Sequence, residues 1–265
     1  MNPLLQPITA APATEFVKSK HYYHGTSAEA GEQIIQHGFL YQESTYEKGD
    51  LAPQEGRAYF TPSFYTAVAY AWDRAAHGSA DDLYIFEVSG KQFHDLSLDE
   101  DVVMALLEQV RLKSNNLKDP FKSDYLEFGL DLSQPLTQAQ IHNPAISHMM
   151  RFFKDQGIMI QEESGGWEWS PVIPTYQRHA KVKEALYHMP DGLVRELMNL
   201  DINVASEADK KQRIWPSKLY IIPQEDLLAA TTATVSAQTD GLSPATLQSL
   251  WEHNDIRVVY LPPHK

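Results

Sequence analysis

Cysteine is absent from all 265 residues, which excludes disulfides, thiolate metal sites and a cysteine nucleophile. Long apolar runs are missing too: no stretch approaches the ~20 apolar residues of a membrane span. The opening residues, MNPLLQPITAAPATEF, have neither the basic start nor the apolar run of a secretory signal. The expected location is therefore the cytoplasm, or a target cell reached without a classical signal peptide, with no membrane partner. Neither GxGxxG nor GxxxxGKS/T occurs, so a nucleotide would have to be held in another way. Basic residues are in short supply. The net charge of −13 opposes general adhesion to nucleic acid, which needs clustered Lys and Arg. Most of the acidic excess lies before residue 150, and two small basic groups stand later, Arg178, Lys181 and Lys183, then Lys210, Lys211 and Arg213.

Eleven histidines invite a metal. His21 and His24 are three apart, a spacing that serves a metal on a helix but sends the two rings to opposite faces of a strand. His142 with His148, and His179 with His188, are no better placed, and no metal is expected.

What is present centres on residues 21–72. HYYH (His21 to His24) is a strand, Gly25 breaks it, and Thr26 with Glu29 forms a capping-box pattern that opens a helix from Ala28 to His37, closed by Gly38. A second strand over 56–61 runs into a helix at Pro62 with Ala67, Val68, Tyr70 and Ala71 on one face. Residues 82–89 alternate as a third strand. Asp99 caps a helix to about Asn115, and a further helix spans Pro144 to Gln156. Residues 158–175 suggest an irregular loop. Residues 177–189 have no clear period, and Val182 with Tyr187 tilts them to strand. A short helix follows at 193–200, strands at 218–222 and 256–261, and a helix from Ser243-Pro244 to Trp251. The pattern is α+β, with residues 1–14 a loose lead-in and 15–265 one domain carrying a helical insertion at about 99–175.

Taken together, YHGTS (Tyr23 to Ser27) and GRAYFTPSFYTAVAYA (Gly56 to Ala71) resemble the ADP-ribosyltransferase superfamily, in its His-Tyr-Glu branch of diphtheria-toxin-like and poly-ADP-ribose-polymerase-like enzymes. The resemblance covers about a fifth of the chain. It implies two small packed β-sheets forming a cleft for NAD as co-substrate, transfer of ADP-ribose to a macromolecular acceptor, protein or nucleic acid, and release of nicotinamide. It also implies a bacterial toxin or effector, with an antitoxin or immunity protein as a further partner. By the same resemblance His24 orients the ribose, the Gly25 backbone pairs with the carboxamide, and Tyr59 and Tyr70 sandwich the nicotinamide ring. Thr26 joins the cofactor-binding set or serves only as the helix cap. Polymerase-like members carry Ser where this chain has Ala67, leaving Ser63 to supply that contact.

The chemistry needs a carboxylate, because breaking the ribose–nicotinamide bond develops positive charge on the sugar. Glu184 is the choice, as an acid heading the strand expected at 177–189, with Glu168 and Glu163 in reserve. In LYIIPQEDL (Leu219 to Leu227) the comparable place is held by Lys218. Three other readings compete: an inactive NAD- or ADP-ribose-binding relative, an RNA 2′-phosphotransferase of the same fold, and a sugar-processing enzyme using Glu168 between Trp167 and Trp169.

Overall fold

A computed structural model describes residues 20–40, 56–76, 82–93, 96–117, 142–200, 202–208, 213–226, 250, 252 and 255–263. The lead-in at 1–14, a mixed stretch at 121–136 and all of the 243–251 helix except Leu250 lie outside these residues. The described chain is α+β, built from small antiparallel sheets and helices. Its contacts divide it into two compact units. One draws on Met1–Leu40, Phe60–Phe93 and Ala208–Lys265, the other on Tyr41–Tyr59 and His94–Glu207. The insertion expected at 99–175 falls inside the second unit.

The first unit is a four-stranded antiparallel sheet in the order β1 (His21–Ser27), β3 (Leu83–Ser89), β8 (Lys218–Ile222), β9 (Arg257–Tyr260). Alternation along β1 sends Tyr23 and Gly25 to one face and Tyr22, His24 and Thr26 to the other. Helix α2 (Phe64–Ala76) covers the first face, where Tyr23, Phe64, Val68, Ile85 and Ile222 share one apolar cluster. The second face carries aromatic packing, with Tyr22 against Phe93 and Phe39 against Phe60, each pair 4.9 Å between ring centres. Helix α1 spans Ala28–His37, the range expected, but its cap differs from the capping-box pattern. Ser27, not Thr26, is its N-cap, accepting from the Ala30 amide at 3.5 Å.

In the second unit β2 (Arg57–Phe60), whose last residue is counted with the first, lies in a three-stranded sheet ordered β2, β7 (Val204–Glu207), β4 (Ser97–Leu98). Helix α3 (Glu100–Ser114) starts on the cap expected of Asp99, whose carboxylate accepts from the Asp101 amide at 3.0 Å. Helix α4 (Pro144–Asp155) buries Ile146, Met149, Met150 and Phe153, and the chain leaves it through Gly157 at φ 71°, a left-handed conformation that suits glycine.

Two expectations are overturned. Residues 158–175 are not simply irregular: β5 (Met159–Gln161) and β6 (Trp167–Trp169) pair as a hairpin. Residues 178–186 are helix α5 (Arg178–Leu186), not strand. Val182, Ala185 and Leu186 are buried, a helical i, i+3, i+4 set, and one β-branched residue does not outweigh that packing. Helix α6 (Asp191–Met198) follows.

Candidate functional site

Strand β1 carries the first part of the candidate site. The Tyr23 amide donates to the Thr61 carbonyl at 2.7 Å, and the Thr61 amide returns a bond to the Tyr23 carbonyl at 2.9 Å. An antiparallel strand turns the N–H and C=O of successive residues to alternate edges. Gly25, two residues on, therefore presents both groups on the side of Tyr23's bond to Thr61, away from β3. Its Cα faces α2 so closely that a Cβ would fall on the Ala67 carbonyl and crowd the Ala71 amide. Glycine is required here by helix packing, whatever else its backbone does.

His24, on the opposite face, lies half-buried with its ring 5.0 Å from Phe39 and 6.0 Å from Phe60. Thr26 is buried on the same face as His24. Ser63 opens α2: its hydroxyl oxygen accepts from the Thr66 amide at 3.2 Å, and its own amide donates to Thr61 Oγ1 at 3.1 Å. Tyr70 is partly exposed on α2, whereas Ala67 is fully buried against β1. The first unit thus carries His24 and Thr26 on one face of β1, Gly25 on the other, Ser63 just before α2 and Tyr70 midway along it.

The same unit holds a charged group that sequence reasoning missed. Glu87, on β3 opposite Tyr23, is almost fully buried. It accepts from Lys218 Nζ at 2.8 Å and from the Tyr220 hydroxyl at 2.6 Å, and lies 3.2 Å from His21 Nδ1. Burial pushes its carboxyl up, but the bonds from His21, Lys218 and Tyr220 outweigh that and hold it at about 2. Alternation on adjacent strands puts all four side chains on the α2 face, a signal available only once the register is known. Lys218, which stands where the resemblance would want an acid, is the counter-ion of Glu87.

Tyr59 and Glu184 belong to the second unit. The Tyr59 hydroxyl donates to both carboxylate oxygens of Glu100, at 3.0 Å each, and Lys183 Nζ is 4.0 Å from one of them. Glu100 is buried, and its carboxyl is raised, chiefly by loss of solvent. Its neighbour Asp99 is driven up to about 7 by burial and by the charges of Glu100 and Asp101. Asp101 lies 2.8 Å from His179 Nε2 and raises that imidazole.

Glu184 does not head a strand. It projects from α5 into solvent, 2.7 Å from Lys181 one helical turn away, and that ammonium keeps its carboxyl below the ordinary value. The strand that recommended it is absent, because burial of Val182, Ala185 and Leu186 makes this segment helical.

The reserve acids divide. Glu163 is exposed in the β5–β6 turn. Glu168 lies 3.3 Å from Arg111 Nη1 and accepts from Asn115 Nδ2 at 3.0 Å, while the Trp169 indole donates to Glu108 at 2.9 Å. These bonds tie the hairpin to α3, and they give the Trp-Glu-Trp run a packing role.

No family model, curated protein or solved structure matches this chain.

Among the described residues no three His, Asp or Glu side chains converge as a metal-ligand set, and no helix is long and apolar enough to cross a membrane. The first unit offers a strand with an outward-facing amide pair at Gly25, a histidine beside it and a partly exposed tyrosine on α2. The second unit, by itself, holds Tyr59 anchored on the buried Glu100.

Proposed function

We propose that the chain is an NAD-dependent ADP-ribosyltransferase with an ADP-ribosyltransferase-like fold, moving ADP-ribose from NAD to a macromolecular acceptor. The observation that carries this reading is the backbone of Gly25. A primary carboxamide offers one donor and one acceptor along its edge, and a strand residue whose N–H and C=O both face away from its neighbour is the complementary pair. In this reading His24 holds the adjoining ribose, and Tyr59 and Tyr70 supply flat faces for the nicotinamide ring. Ser63 keeps a hydroxyl proton to donate while its oxygen caps α2.

In the reaction the bond from ribose C1′ to the nicotinamide nitrogen breaks, and its electron pair leaves with nicotinamide. A nucleophile on the acceptor then bonds to C1′ and gives up its proton. The cationic sugar between these events needs a carboxylate nearby. Glutamine substitution at Glu184, Glu163 and Glu168, one at a time, assigns that role by loss of turnover with NAD affinity retained. The fold family's association with bacterial toxins and effectors extends the proposal to that setting, and to an antitoxin or immunity protein as partner.

A second reading, a catalytically inactive NAD- or ADP-ribose-binding relative, is favoured by the fully buried Ala67 in the serine position and by the loss of the strand under Glu184. Incubation with labelled NAD and separate pools of protein, RNA and DNA decides between the two. Nicotinamide release supports the transferase, whereas binding of NAD without release supports the inactive relative.

A further inference from the structure

Tyr59 is held at both ends. Its backbone belongs to β2, and its hydroxyl donates to the two oxygens of Glu100 at equal distances of 3.0 Å. Glu100 is itself fixed. It is the first residue of α3, directly after the Asp99 cap, its side chain is only 4% exposed, and Lys183 stands 4.0 Å away on α5. The two residues are 41 positions apart in sequence, so this contact is a product of the fold and not of local geometry. A tyrosine tethered only at Cα samples several rotamers and loses that freedom when a ligand stacks on it. One anchored through its hydroxyl has its ring plane set in advance.

We propose that Glu100 is a positioning residue, fixing the plane of the Tyr59 ring for stacking on nicotinamide. The inference rests on the transferase reading above and adds to it a residue that no motif indicated. Glu100 touches neither substrate nor reacting atoms in this account; it acts through Tyr59.

The test measures kcat and KM for NAD in the full-length wild type and in Tyr59→Phe, Glu100→Leu, Glu100→Gln and the Tyr59→Phe/Glu100→Leu double variant, with thermal melting alongside. Loss of the anchor raises KM for NAD about tenfold in Tyr59→Phe and in Glu100→Leu, with kcat nearly unchanged, as expected for one side chain released from a fixed rotamer. The double variant is no worse than either single one, because both remove the same bond. Glu100→Gln retains an oxygen that accepts from the hydroxyl, and recovers most of the loss. A structural clip would instead lower melting temperature across the series without this pattern in KM. Should Glu100→Leu fail to fold, the comparison of Tyr59→Phe with Glu100→Gln carries the decision. A wild type that releases nicotinamide while Tyr59→Phe keeps the wild-type KM overturns the positioning role alone. A folded wild type that releases none overturns the transferase reading, and the positioning role with it.

Discussion

A methyl group at position 25 would have to displace the backbone of α2. The Ala67 carbonyl occupies the space that a Cβ needs, and backbone cannot move aside as a flexible side chain can. Gly25→Ala is expected to destabilise the protein by about 3 kcal/mol, the upper part of the usual cost of overpacking, as read by chemical denaturation. Asp99 poses a different question. It is buried beside two other acids, and its carboxyl sits at about 7 against an ordinary 3.8. Because the folded value is the higher one, the folded chain binds more protons than the unfolded chain between these two values, and stability falls as pH rises through that window. A shift of about three units corresponds to roughly 4 kcal/mol. Asn203 adds a detail: its Nδ2 is 3.5 Å from Asp99 Oδ2, while its buried Oδ1 has no hydrogen-bond partner among the described residues. Asp99→Asn keeps the capping oxygen and cannot ionise, and a flip of the Asn203 amide turns its Oδ1 to accept from the new donor. It should make the protein more stable than wild type at pH 8 and flatten the decline between about pH 4 and 7, measured by urea unfolding across that range.

Helix α5 shows how two periodicities lead to different chemistry. In a strand, Val182, Glu184 and Leu186 would share a face, and Glu184 would stand beside core residues. In the observed helix Val182, Ala185 and Leu186 are buried, and Glu184 faces water with Lys181. Ala185→Glu should therefore cost about 3 kcal/mol or more by burying an unpaired charge. Glu184→Ala should change stability by less than about 0.5 kcal/mol, as surface changes usually do. Melting curves of the two variants distinguish the assignments, since a strand would reverse the order. The elements read correctly from sequence were those with a strong local signal. Asp99 capping α3, Pro144 opening α4, and the alternation of Leu83–Ser89 all act within a few residues. Helix α5 was misread because nine residues with three buried positions hold too little period to outweigh Val182 and Tyr187. Strands β4 and β7 are two and four residues long, and they are defined by their partners in the sheet and not by their own composition.

The two units also differ in what pH does to them. Glu87 in the first is stabilised as an anion by three donors, so its contribution is complete above its ordinary value and is lost as pH falls toward about 2. Asp99 and His179 in the second have raised values, and each loses its contribution as pH rises through them. None of this was legible in the chain read as letters, because Glu87 meets Lys218 across 131 positions and Tyr59 meets Glu100 across 41. The two strand-to-helix segments that carry His24, Gly25, Thr26, Ser63 and Tyr70 were legible, because their strand, cap and helix signals act within a few residues. The secondary structure under Glu184 was not, since packing decides it. The central claim is that this molecule breaks NAD, and it is tested most directly by measuring free nicotinamide after incubating the folded full-length chain with NAD and pools of protein, RNA or DNA. The account predicts nicotinamide release with label transferred to one pool, and about tenfold less of both for His24→Ala, the loss of one hydrogen bond to the ribose. Folded protein that releases no nicotinamide with any pool would contradict it.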